Sequence, residues 1–280
     1  MEIFIPEKFF KEKQYIVKQL FSYIDLPYFS IKPVKGQWYL IRFDKKCIKI
    51  KDAFFSNVNE NSYLNVRYLP QEIYYLDSID LESISDIIYL FGESYFKKDA
   101  NSITLGADIF ASAFYFLTRW EVYVIKDRDE HSRFPDSKNI LLKNSLHYRP
   151  VVCEYVQLLI KMLQFLGLNV NLNQSYNLRV THDVDLFSRF GSFIDFAKGA
   201  VNDILRRKSL RLFNKTVQSF LGYKFLGWND PYNTFDFLMD SSEKVGVKSE
   251  FYFIPSQIDE PYTFYDYRDK KVAEEVKHII

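Results

Sequence analysis

Glycine is scarce in this sequence, 9 residues in 280, which argues against an all-β protein built on many tight turns. Cysteine is scarcer: Cys47 and Cys153 stand far apart without C-x-x-C spacing, so no disulfide framework is expected and a reducing, cytoplasmic compartment fits. Neither sign of charge is in excess. The 37 basic and 36 acidic residues leave a formal charge of +1, so no long-range field draws the chain as a whole to nucleic acid or anionic lipid. The most apolar run, Ile109 to Leu117, lies between Asp108 and Arg119. It is far shorter than the roughly 20 residues of a membrane span, so a buried helix is expected there and no membrane span anywhere. The opening MEIFIPEKFFKEKQ lacks the apolar core and small residues of a secretory leader. Histidine is limited to His131, His147, His182 and His278, no two of them four apart.

Apolar side chains are plentiful, at 48% of the chain, and the 27 Phe and 21 Tyr supply most of an 18% aromatic share. That is ample for a sizeable core, and the length allows two domains. Lys8 to Ile24 places Phe9, Tyr15, Ile16, Leu20 and Phe21 near helical spacing. Strand-like runs follow at Tyr28 to Ile31, Trp38 to Phe43 and Cys47 to Ile50. Asp80 to Gly92 reads as a helix with Leu81, Ile84, Ile87 and Ile88 on one side, and Asp108 to Ile125 as a helix apolar nearly all round. Pro150 opens a further helix whose Val152, Tyr155, Val156, Leu159, Met162, Leu163 and Leu166 repeat at three and four, with Gly167 as its C-cap. Cys153 falls at its start and is expected as a small buried hydrophobe.

NVNLNQSYN, residues 169 to 177, is polar and without helical period, and reads as a linker. The expected division is an accessory α/β domain over 1–172 and a second domain over 177–280. In the second, Asn177 to Thr181 is a strand leading into His182-Asp183-Val184-Asp185, and a long segment carries Arg206, Arg207, Lys208 and Arg211. Asp230 and Pro231 then read as N-cap and first-turn residues of a helix bearing Phe235, Leu238 and Met239, closed by Gly246. Lys248 to Ile254 is a strand, and Val272, Val276 and Ile279 mark another helix. Alternating strands and helices predict an α/β layer or barrel with parallel strands.

THDVD, Thr181 to Asp185, is the strongest local signal. Ligands in parallel α/β folds gather at the carboxyl ends of strands, and strand alternation would put Asp183 and Asp185 on one face. Two carboxylates there can divide labour, one binding a divalent ion and one taking a proton from water. Acidic pairs at strand ends also simply cap a helix or close an Asx turn. His182 points to the other face and reads as a core or supporting residue, His278 as a solvated helix residue and His131 as part of a surface charge cluster.

THDVD resembles the first motif of the polysaccharide deacetylase (NodB-like) superfamily, in the branch that carries an extra N-terminal domain. DPYNTFDFLMDSSEKVGVKSEFYFIP (230 to 255) is similar to that branch's helix and second barrel strand. DIFASAFYFLTRWEVY (108 to 123), RDEHSRF (128 to 134) and RPVVCEY (149 to 155) are similar to its N-terminal domain. The resemblance implies an N-terminal α/β domain followed by the first part of a (β/α) barrel. It implies a metal-dependent hydrolase that removes acetyl groups from a glycan, with Asp183 as catalytic base, Asp185 as metal ligand and Zn²⁺ or a similar ion as cofactor. The expected partner is a glycan, not nucleic acid. The superfamily's next motif brings two histidines at i and i+4, and later ones an arginine and a general-acid histidine; this chain has no such histidine pair. The ending Ile279-Ile280 has no helix stop, so a truncated chain, inactive as it stands, is expected. The alternative is a non-catalytic binding or assembly module in glycan biosynthesis.

Overall fold

Period-two alternation builds the first sheet. In Glu2–Pro6 (β1), Ile3 and Ile5 are fully buried while Glu2 and Phe4 are not, and in Trp38–Phe43 (β3) Tyr39 and Ile41 are buried between Trp38, Leu40 and Arg42. The computed structural model describes the chain except residues 27, 60, 77–78, 82–83, 85, 174–176, 191, 255–264, 267 and 280. It is a mixed α/β protein with nine α-helices among the described residues, dividing into two compact units, Met1–Ser175 and Tyr176–Ile280.

In the first unit β1 is followed by Phe10–Ser22 (α1), Ser30–Val34 (β2), β3 and Lys46–Lys51 (β4). Tyr74–Leu76 (β5), Ile87–Tyr89 (β6), Gly92–Lys98 (β7) and Ser102–Ala107 (β8) come next, then Ile109–Thr118 (α2), Trp120–Val124 (α3), Ile140–Lys143 (α4) and Val151–Phe165 (α5). The six-stranded sheet runs β2-β1-β3-β4-β8-β7. The β1–β2 and β4–β8 pairs are parallel and the rest antiparallel, so the sheet is mixed. The core joins its inward side chains to those of α1, α2 and α5, among them Ile16, Leu20, Phe110, Tyr155 and Leu159. Burying each such aliphatic side chain is worth about 1.5–3 kcal/mol.

A polar cluster lies inside this core. Lys13 from α1 is paired with Asp52, both side chains wholly buried. Asp108 caps α2 by accepting the Ala111 N–H at 2.9 Å, and also accepts from Ala53 at 2.8 Å and Phe54 at 3.0 Å. One carboxylate thus fixes both a helix start and the chain leaving β4. Burial and the charge of Asp52 push Asp108 up to about 7, against those three N–H donors. Burial likewise raises Asp52 and lowers Lys13, each against the pull of the other.

Three local expectations are corrected. The described end of Asp80 to Gly92 is strand β6, not helix: Ile87, Ile88 and Tyr89 are all buried, β6 pairs with β5, and the Tyr155 hydroxyl donates to the Ile88 carbonyl at 2.6 Å. A short apolar run carries no period that separates strand from buried helix. Asp108 to Ile125 is two helices, broken at Arg119, whose φ of 47° is left-handed and whose guanidinium pairs with the buried Glu121. Cys153 is exposed, because on α5 it shares an outer stripe with Gln157, Lys161 and Gln164.

The second unit comprises Val180–Val184 (β9), Phe193–Leu205 (α6), Leu210–Phe225 (α7), Phe235–Glu243 (α8), Ser249–Phe253 (β10) and Lys270–Ile279 (α9). β9 and β10 form a parallel pair in the register Asp183↔Tyr252 and Val184↔Phe253. Its core is Val184, Phe235, Tyr265 and Val272, with Phe187, Met239, Phe251 and Phe253 packed against it.

Candidate active site

Alternation along β9 sorts THDVD. Val184 is buried and His182 half-buried, while Thr181 and Asp183 face solvent. The His182 ring stacks on Phe251 with centroids 4.9 Å apart, and its Nε2 lies 3.2 Å from the Ser249 hydroxyl. Ser249 in turn meets Ser242 of α8 at 2.8 Å. His182 therefore joins the strand pair to α8, on the opposite face from Asp183.

Asp183 is in the last turn of the pleat and Asp185 lies in a bend just beyond the strand. Alternation therefore orients Asp183 but does not set Asp185, and the shared face expected for the two is not a property of the strand. Both are exposed, and neither carboxylate has a hydrogen-bond or ion-pair partner among the described residues. Behind them the Val184 carbonyl accepts from the Tyr265 hydroxyl at 2.8 Å, which itself accepts the Ile254 N–H at 2.9 Å. The two strand ends are thereby tied together.

Asp230, expected as the N-cap of the following helix, has a different role. It is not a helix cap: α8 begins at Phe235, with Thr234 preceding it. Its nearly buried carboxylate instead accepts the Ser188 hydroxyl at 2.8 Å and the N–H groups of Arg189 at 2.9 Å, Phe190 at 3.0 Å and Tyr232 at 2.9 Å. It fixes the loop that follows Asp185. The only hint in the sequence is an aspartate before Pro231, which suits a helix start as well as a loop anchor.

Two other histidines pair with acidic neighbours. His278 on α9 pairs with Asp236 of α8 at 2.8 Å, and that hydrogen bond and charge raise its pKa. His131 lies 3.4 Å from Glu130 on the surface of the first unit. Among the described residues no three His, Cys, Asp or Glu side chains are grouped to hold a metal ion. A zinc site normally draws on three or four protein ligands, so two carboxylates do not fit one.

The fold thus defines a two-unit α/β protein with an acidic strand end in its second unit. A family model described as a family of unknown function, DUF7033, matches residues 1–167, and the chain belongs to that family. The match lies within the first unit, and THDVD falls outside it. No curated protein and no solved structure matches the chain.

Proposed function

We propose that the second unit is the opening of a polysaccharide deacetylase-type (β/α) barrel, and that the protein to which it belongs removes acetyl groups from a glycan. The observation that carries this reading is Asp183, without a partner among the described residues, near the carboxyl end of a strand with a parallel neighbour and before a loop anchored by Asp230. A metal-dependent deacetylase would use Asp185 as one ligand and Asp183 as base. These 280 residues offer no third ligand among those described, so on this reading they are inactive alone and the histidines lie elsewhere.

Reading the coding DNA past codon 280 tests the proposal directly. It should encode His-x-x-x-His in a helical context, and the chain so extended should release acetate from an acetylated chitooligosaccharide. Asp183→Asn in that protein should cut turnover by roughly 10²–10⁴, the usual worth of a general base. Turnover indifferent to Asp183→Asn would place the chemistry elsewhere.

A second reading, a binding module, is favoured by the outer face of the first unit. A groove of about 400 Å³ there is lined by Lys35, Gln37, Trp38, Leu40, Arg42 and Lys49, with no carboxylate among its lining residues. An aromatic ring among cations suits an acidic sugar chain. Retardation of the protein in gels cast with an acidic polysaccharide, lost in Trp38→Ala and Lys49→Gln, would support it; retardation unchanged by either would sink it.

A further inference from the structure

α6 and α7 pack as a hairpin that buries Asp203 and Thr216. Phe196 stacks on Phe220 at 4.0 Å, while the buried Asp203 accepts the Thr216 hydroxyl at 2.6 Å and pairs with Arg207 at 2.9 Å. Ser209 closes the turn by donating its N–H to the Asp203 carbonyl and caps α7 through Leu212. The outer stripe of α6 is then Ile194, Lys198, Val201 and Leu205, apolar at three of four positions where a water-facing helix is ordinarily polar. At the turn, Leu205 is 71% and Leu210 70% exposed. Between them stand Arg206, Arg207 and Lys208, with Arg211 following.

Charge is concentrated on this hairpin. Phe193 to Phe225 holds seven Lys or Arg and two Asp, in a chain whose formal charge is +1. Arg206, Lys208 and Arg211 have no ion-pair partner among the described residues, and Arg207 is held by Asp203. The overall balance hides a local cationic patch. No helix among the described residues is long and apolar enough to cross a membrane.

We propose that the α6–α7 hairpin is a membrane-surface anchor that docks on anionic phospholipid. The two features select this occupant jointly. Exposed Leu and Val gain nothing from a nucleic-acid backbone, and a protein partner covering the turn would have to desolvate adjacent unpaired cations. A bilayer interface accepts both, because the aliphatic groups enter the acyl boundary while Lys and Arg extend to the phosphates. The inference does not depend on the glycan reading.

Flotation of the 280-residue protein with vesicles tests it, using phosphatidylcholine alone and phosphatidylcholine with phosphatidylglycerol in equal parts. The protein should float with the anionic vesicles and not the neutral ones, less so as salt rises. Arg206→Gln with Lys208→Gln should weaken binding roughly 25-fold, taking each cation as worth about fivefold near an anionic surface. Leu205→Ser with Leu210→Ser should weaken it at least about tenfold, since two aliphatic groups no longer leave water. All four side chains are exposed, so the variants should keep the parent circular dichroism. Absence of flotation, equal flotation with both vesicles, or binding unchanged by the leucine pair would overturn the proposal. So would a dimer in sedimentation velocity that the leucine pair dissociates, which would make a second copy the occupant. Retention on polyuridylate that survives the leucine changes, with no flotation, would assign the patch to nucleic acid instead.

Discussion

Asp230 accepts the backbone N–H of Arg189 at 2.9 Å, across a stretch of chain that contains both α6 and α7. The contact closes the loop after Asp185 onto the start of the α8 segment. Asp230→Ala would leave the N–H groups of Arg189 and Tyr232 without their acceptor, and that of Phe190 with only the Ser188 hydroxyl at 3.2 Å, at a cost of about 1–3 kcal/mol. Hydrogen exchange at residues 188–190 should accelerate most, with the first unit unchanged. Equal protection of that loop in the variant would show that Asp230 does not hold it.

The wholly buried Lys13–Asp52 pair makes a second forecast. Lys13→Met leaves Asp52 in the core without its cation and should cost about 3–5 kcal/mol. Adding Asp52→Asn removes the stranded charge and keeps an acceptor for the Ser56 N–H, so the double variant should be more stable than Lys13→Met alone. Urea melts of the four proteins give the coupling; strict additivity would mean that the pair contributes nothing as a pair.

Asp108 sets a pH dependence. Its folded-state pKa is pushed up to about 7 from the ordinary 3.8, so between those values the folded protein holds a proton that the unfolded chain has lost. The native state binds more protons there, and stability must fall as pH rises through the window. Asp52, also raised, adds to the fall. Asp108→Asn should be less stable throughout, since its amide faces N–H donors, yet its stability should vary less between pH 4 and 7. The slope of stability against pH is the readout, and a slope unchanged by the substitution would assign the dependence to other groups.

These buried groups mark the limit of sequence reading. The α5 stripe was legible because Tyr155, Leu159, Met162 and Leu163 repeat at helical spacing and are all buried. The β3 and β4 strands were legible for the same reason at period two. A lysine in a helical run such as α1 reads as solvated, and nothing near Lys13 announces a partner at Asp52. Asp230 was misplaced in the same way, since its four donors lie at residues 188, 189, 190 and 232. In THDVD, periodicity oriented Thr181 to Val184 and stopped at Asp185, where strand pairing ends. Local pattern reaches as far as the element, and long-range polar contacts lie beyond it.

Zinc binding by the 280-residue protein should be no tighter than that of an ordinary acidic surface, because Asp183 and Asp185 have no third ligand among the described residues. Calorimetry should give weak heats without a defined stoichiometry. A stoichiometric site that Asp185→Ala abolishes would mean that ligands gather around it after all.

The two units should also differ in their resistance to opening. The first has a six-stranded sheet whose inward faces are sealed by α1, α2 and α5. Among its described residues the second has one pair of parallel strands over a core of Val184, Phe235, Tyr265 and Val272. Parallel strands owe their stability to burial on both faces, and here Thr181 and Asp183 look out to solvent. A two-stranded sheet with so small a core is marginal in isolation. Backbone amides of β9, β10 and α9 should therefore exchange through local opening at far lower free energy than those of β3, β4 and α5. Limited proteolysis should cut within 176–280 while a fragment close to 1–175 persists. Pulse labelling followed by peptide mass analysis resolves the two sets. Equal protection in both would require stabilising contacts in the second unit beyond its small core, and would remove the basis for reading it as the opening of a larger barrel.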